Sequence, residues 1–120
     1  MIAISVDFST VYFTLDRDSE RETTMVTVIW DMRVRSDAAE AGLAIIQRIW
    51  LDMRTLFRGY VGHRLFADAD HSGHFVVVSD WACRDDADRS LREYAGAETV
   101  RQLQPLLTEA RVRTVLSEVR

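Results

Sequence analysis

The sequence predicts an α+β fold of the ferredoxin-like, split βαβ kind: one antiparallel sheet with its helices packed on one face. Three observations lead there. Segments of strand and helix periodicity follow each other in the order β-α-β-β-α-β, with the second helix in two pieces. Two of the strands adjoin through a short polar turn, which makes them a hairpin. The stretch FVVVS, residues 75–79, is apolar at four consecutive positions and so needs cover on both sides of the sheet.

Each element has its own justification. VTVIWDMRV (26–34) alternates: Val26, Val28, Trp30, Met32 and Val34 face one way, and Thr27, Ile29, Asp31 and Arg33 the other. Ser36 or Asp37 is placed to cap a helix that runs to about Phe57. Its apolar positions Ala39, Leu43, Ile46, Trp50, Met53 and Phe57 are spaced 4, 3, 4, 3, 4, and Ile45, Ile49 and Leu56 widen the stripe. Arg58-Gly59 ends it. YVGHRLFAD (60–68) and HFVVVSDWA (74–82) are the hairpin strands around the turn ADADHSGH (67–74). Asp85 or Asp86 can cap a helix that runs to about Tyr94; Gly96 breaks it, AETVRQLQPLL (97–107) reads as another helix, and EARVRTVLSEV (109–119) as the last strand.

The compact domain is expected at 25–120, where Met25 precedes the first clear strand. Residues 1–24 read as an N-terminal extension: a strand or arm rich in β-branched and aromatic residues, then the polar linker DRDSERETT (16–24). MIAISVDF carries Asp7 and no basic run, so it does not read as a signal peptide. Helices cover one face of the predicted sheet only. The cheapest cover for the second face is another copy of the chain, which predicts a symmetric homodimer with the sheets face to face.

Composition narrows the function. A net charge of −4 and a pI near 5.3 argue against a nucleic-acid surface. No apolar run approaches a membrane span of roughly 20 residues. All 15 basic residues are Arg, which excludes a Schiff-base lysine or a P-loop lysine and points to a GC-rich bacterial genome. Cys83 is the single cysteine, so there is no intrachain disulfide and no zinc-cysteine cluster, consistent with a reducing cytoplasm. A small-molecule or protein partner remains.

Candidate site residues follow from the faces. Trp81 shares a face with Phe75, Val77 and Ser79, and its indole can either fill core or stack on a flat ligand. Trp30 and Met32 lie on the apolar face beside the long helix. With Trp50, Met53, Phe57 and Phe66 they would wall an adaptable apolar cavity between helix and sheet. Strict alternation puts Arg64 on that side with Tyr60 and Phe66, where it could hold an enolate or phenolate oxygen. It puts His63 on the opposite face, with Val61 and Leu65, either satisfied at the dimer contact or moving a substrate proton. Asp80 falls on that opposite face too and needs a partner such as Arg33 or Arg113. Asp68, Asp70, His71 and His74 surround a Ser-Gly turn, where polar residues serve solvation, and no metal site is expected. Ser79 and Cys83 lack a base and an orienting group for nucleophilic catalysis.

Together, VTVIWDMRV, the long helix, GYVGHRLFAD, FVVVSDWACRDDADR and a helix ending LQPLL resemble the antibiotic biosynthesis monooxygenase family over about residues 25–119. The most specific part is a Gly-Tyr, a short strand, a turn, and a strand that ends in Trp before an acidic helix start. The resemblance implies the dimeric α/β-barrel fold. It also implies oxygenation of a phenolic aromatic polyketide to a quinone without flavin, haem or metal, with dioxygen as co-substrate and no cofactor. In the quinone-forming members an Asn four residues before the Trp and an Arg on the following helix act with that Trp. Here the Trp is Trp81, Arg101 sits where such an Arg could lie, and the Asn position is Val77. Haem-degrading members need a helix His, and this chain has no His after His74. The expected catalytic set is Trp81, Arg101, Arg64 and His63; the expected substrate-binding set is Trp30, Met32, Trp50, Met53, Phe57, Phe66, Phe75 and Val77. Val77 keeps two alternatives open: a non-oxidative polyketide cyclase on the same fold, and a non-catalytic ligand-binding module.

Overall fold

The computed structural model describes residues 24–120, so the expected extension at 1–24 lies, but for its last residue, outside the described residues. Strand β1 (Val26–Arg33) leads through a short 3-10 turn, Ser36–Ala38, into helix α1 (Ala39–Leu56). The hairpin follows as β2 (Tyr60–Ala67) and β3 (His74–Trp81). Helices α2 (Arg84–Tyr94) and α3 (Glu98–Leu103) and a 3-10 turn, Gln104–Leu106, precede β4 (Val112–Leu116). The sheet has four strands in the order β2-β3-β1-β4, every pair antiparallel. This is the predicted ferredoxin-like topology.

Helix ends differ from the expected caps. Asp37 pairs with Arg35 at 3.2 Å instead of capping, and neither end residue preceding α1 or α2 supplies a side-chain cap. Asp85 and Asp86 lie inside the first turn of α2, where their charge favours the positive end of the helix. Gly73 closes the hairpin at φ +87°; its carbonyl accepts the Val34 N–H at 2.8 Å, and a Cβ there would fall 2.2 Å from the Val34 carbonyl oxygen. Only glycine satisfies both the left-handed backbone and that close approach.

The core lies between the sheet and the helices. Val26, Val28 and Met32 of β1, Phe75, Val77, Ser79 and Trp81 of β3, and Ile46, Ile49, Trp50 and Met53 of α1 are all buried. These are the faces that alternation assigned. The second strand is where alternation fails. Tyr60 pairs with Trp81, Gly62 with Asp80 and His63 with Ser79, so the ladder slips by one residue at Val61. A bulge of this kind reverses the facing of everything beyond it. His63 and Leu65 therefore point to the helices, and Arg64 and Phe66 to the open face, the reverse of the expected arrangement.

The open face mixes an apolar strip with polar residues. Ile29, Val76 and Val78 are half-buried along its centre, and Val61, Phe66, Val112 and Leu116 are 54, 40, 55 and 43% exposed. Several of its polar residues are tied to one another. Thr27 Oγ1 donates to Asp80 Oδ1 at 2.7 Å, so Asp80 takes a hydroxyl partner and not Arg33 or Arg113. His74 bridges two carboxylates, with Nδ1 2.7 Å from Asp68 and Nε2 3.0 Å from Asp31. Asp68 also accepts the backbone N–H groups of Asp70 and His71. The hydrogen bond to Asp68 foremost, against a smaller effect of burial, holds the His74 imidazolium above its ordinary pKa. The same bond, with the backbone donor of Asp70, holds Asp68 far below the carboxylate range. Among the described residues no group of three His, Cys, Asp or Glu side chains is arranged to hold a metal ion, and no helix is long and apolar enough to cross a membrane.

Candidate functional site

A cavity of about 560 Å³, counted out to its open mouth, lies between the sheet and α1, α2 and α3. Five sequence-predicted residues meet there: Trp30 and Met32 from β1, Trp50 and Met53 from α1, and Trp81 from the end of β3. The spacing explains why. Trp30 and Met32 are two apart on a strand, and Trp50 and Met53 three apart on a helix, so each pair presents one face. Three indoles and two thioethers make a wall that is flat and polarizable.

Trp81 is 1% exposed. Its Nε1–H donates to Ser79 Oγ at 3.1 Å, and the Ser79 hydroxyl donates to the Val28 carbonyl at 3.1 Å. The one hydrogen bond that an indole can give is thus spent inside the protein. What Trp81 offers the cavity is its ring, packed edge-to-face against Tyr60 at 5.8 Å between centroids.

The other predicted residues are placed elsewhere. Phe57 is half-buried beside the site, edge-on to Tyr94 at 6.1 Å. Phe75 and Val77 are buried in the core and do not reach the cavity. Phe66 is on the open sheet face, with the Arg64 guanidinium 4.8 Å above its ring, so the bulge removes both from the site. Arg101 is exposed on α3, where it binds Glu98 at 2.7 Å and the Gly96 carbonyl at 2.7 Å. Its guanidinium is committed to its own helix turn, away from the cavity. His63 is drawn to the helix side, 5.4 Å from the Trp50 ring, with Nδ1 2.5 Å from the Tyr60 hydroxyl. Burial, and then the charge of Arg54, push its pKa down, so it is a neutral imidazole behind the Trp50 wall.

The polar groups on the cavity are ones that the sequence did not single out for it. Tyr94 of α2 lines it. Its hydroxyl donates to Asp52 at 2.5 Å and accepts from Thr99 at 2.6 Å. Burial first, and Asp52 second, raise its pKa, so it stays a neutral phenol. Arg113 lines the opposite wall and binds Asp88 at 2.9 Å. Burial works to raise the Asp88 carboxyl, but Arg113 and Arg84 outweigh it and hold it below its ordinary value. Arg111, just before β4, lays its guanidinium 4.6 Å from the centroid of the Trp30 ring. No carboxylate among the described residues pairs with it, and burial alone depresses its pKa.

Alternation in β4 holds the signal for these arginines and also conceals it. Arg113 pairs across the sheet with Trp30, and Val115 with Val28, so Arg111, Arg113 and Val115 share the helix side. Read by polarity, the same strand places Arg111 and Arg113 outside and Val112 and Leu116 inside. The structure has the reverse.

No family model matches the chain, and no curated protein matches it by sequence. The fold is nevertheless shared with solved structures. A cofactor-independent oxygenase from Streptomyces nogalater, SnoaB, superposes with a TM-score of 0.71 at 18% identity, over 81% of this chain and 95% of its own. Rv0793 from Mycobacterium tuberculosis gives 0.64 at 26% identity, over 81% of this chain and 97% of its own. A protein from Caulobacter crescentus named as a putative antibiotic biosynthesis monooxygenase gives 0.66 at 16% identity, over 87% and 98%. The neighbours named as antibiotic biosynthesis monooxygenases thus bear out the resemblance at the level of the fold, and this chain has the ferredoxin-like architecture they share.

Proposed function

We propose that the chain is a small-molecule tailoring enzyme: a cofactor-independent monooxygenase that oxidises a phenolic aromatic polyketide to a quinone, acting as a homodimer closed by the open sheet face. The observation that carries this reading is the cavity wall. Trp30, Trp50 and Trp81 with Met32 and Met53 form an apolar slot suited to a flat ring system. Its fold is that of proteins named as monooxygenases, one of them a cofactor-independent oxygenase. The chemistry balances without a further reductant. A phenol and dioxygen give a quinone and water; the ring loses the electrons that dioxygen gains. An electron-rich phenolate reduces dioxygen itself, so the protein has to bind the ring, favour its deprotonation and keep water from the intermediates. The exposed apolar residues Val61, Phe66, Val112 and Leu116 on the sheet face without helices support the dimer.

Val77 supports a second reading, a non-oxidative cyclase. It is fully buried, so no amide approaches the cavity from the position where the quinone-forming relatives are expected to have Asn. Oxygen-electrode traces with anthrone and naphthol substrates, followed by mass spectrometry, separate the readings. Monooxygenation predicts one dioxygen consumed per quinone formed. A product of unchanged mass with new ring connectivity replaces it by the cyclase. Tight binding without turnover overturns both in favour of a binding module.

A further inference from the structure

Among the described residues, Arg111 is a cation without a counter-charge. A guanidinium has five N–H donors, and among the described residues none of those on Arg111 has an acceptor; the group lies over the face of Trp30. Stacking on an indole steadies the plane of the group but satisfies no donor. The other arginine of the cavity, Arg113, is neutralised by Asp88 at 2.9 Å. Arginines elsewhere that lack a partner, such as Arg33, Arg54 and Arg92, are exposed and hydrated. Arg111 is half-buried, on the rim of an apolar cavity whose remaining hydroxyls are already used: Tyr94 on Asp52 and Thr99, and Ser90 on the Ala87 carbonyl.

We infer that Arg111 is the anion-recognition residue of the cavity, and that the ligand is a planar aromatic carrying an oxyanion conjugated with its ring. The ring lies along the Trp30–Trp50 wall and the oxyanion accepts from the guanidinium that Trp30 holds in place. Desolvation supports this: burial depresses the Arg111 pKa with no compensating acid, and a bound anion removes that penalty. The inference rests on the small-molecule reading of the cavity and deepens it by naming the charge and shape of the substrate. It also assigns to Arg111 the oxyanion-holding role that sequence reasoning gave to Arg64.

The test is a set of binding titrations on the full chain by calorimetry, at one neutral pH. Naphthoate is compared with its neutral isostere naphthamide, and para-nitrophenolate with para-nitroanisole. Wild type is expected to favour each anion by roughly tenfold to a hundredfold, the range of one charged hydrogen-bonded contact. Arg111→Met, which keeps the stem, is expected to lose that preference while binding naphthamide as before; Arg111→Lys keeps part of it. A preference confined to one pair identifies the oxyanion as carboxylate or phenolate. Because no acid among the described residues pairs the charge, Arg111→Met should lower the urea midpoint by no more than the loss of its contact with the Trp30 ring. A fall as large as that of a broken buried ion pair would mean that an acid in the native assembly pairs Arg111, and would overturn the inference. Equal loss of naphthoate and naphthamide binding on Arg111→Met would overturn it too, by making Arg111 a packing residue. If wild type binds anions and neutral probes alike, the inference falls and the apolar cavity stands. If no aromatic probe binds, the small-molecule reading falls with it.

Discussion

Replacing Trp81 by Phe separates a residue that shapes the cavity from one that does chemistry in it. The side chain is 1% exposed and its only donor is bonded to Ser79 Oγ at 3.1 Å. The substitution removes about 40 Å² of buried apolar surface, which at about 25 cal/mol per Å² is about 1 kcal/mol. The space left unfilled adds about 1 kcal/mol, and the lost N–H···O bond about 1 kcal/mol. The total is about 3 kcal/mol. With a urea slope of about 1.5 kcal/mol per M, the midpoint falls by about 2 M. Ser79 is not orphaned, since its hydroxyl still donates to Val28. The reciprocal change, Ser79→Ala, leaves the buried indole N–H without an acceptor and costs about 1–3 kcal/mol. The two lesions share one bond, so the double variant is expected to be less destabilised than the sum by about 1 kcal/mol. The assay is equilibrium urea unfolding followed by circular dichroism on all four proteins, with naphthamide binding measured on the folded ones. Because the indole donor is internal, ligand affinity should change by less than about threefold once folding is allowed for. A Trp81→Phe protein of wild-type stability that has lost binding or turnover would refute this, and would make the ring a direct participant.

Two further outcomes follow from the open face. His74 gains a proton-dependent contribution to stability because its pKa is raised above 6.5 by Asp68 and then Asp31. That contribution is complete below 6.5 and is lost as pH rises through the folded value, whereas the Asp68 contribution is complete above 3.8 and is lost as pH falls through its own depressed folded value. The stability gap between wild type and His74→Gln is therefore expected to be widest between 3.8 and 6.5 and to narrow toward alkaline pH, measured by urea midpoints across that range. Val78→Asp places a charge at the half-buried centre of the apolar face; sedimentation velocity is expected to show wild type as a dimer at micromolar concentration and the variant as a folded monomer, and a monomeric wild type would refute the dimer.

The element order and the facing of β1, β3 and α1 were legible because each obeys a single period: two in VTVIWDMRV and HFVVVSDW, between three and four in α1. The cavity wall built from those elements was legible for the same reason. What lay beyond Val61 was not. A bulge is one extra residue in a ladder, and the mark of it in YVGHRLFA is Gly62, a glycine inside a strand, which strict alternation passes over. One slip moved His63 toward the helices and took Arg64 and Phe66 from them. Arg101 was placed by the expected position of a helix arginine, but Glu98 lies one turn before it and captures it.

The edge strand β4 carries the most consequential reversal. Its apolar residues Val112 and Leu116 lie on the face without helices, and its arginines Arg111 and Arg113 line the interior cavity. Hydrophobic burial alone would choose the opposite register. Two properties of the site explain why the observed one is favourable. The cavity is where a charge has use, since Asp88 neutralises Arg113 and Trp30 supports Arg111. The open face is where apolar residues have use if a second subunit covers it, because a charge buried there would need a partner across the interface. Strand β4 is thus consistent with the proposed dimer and with an anionic ligand at once. The same division bears on Val77. Val77 is the cross-strand neighbour of Trp30 but is buried in the core and supplies no polar atom, so on this reading polar recognition comes from the far edge of the same sheet face, where Arg111 stands over Trp30.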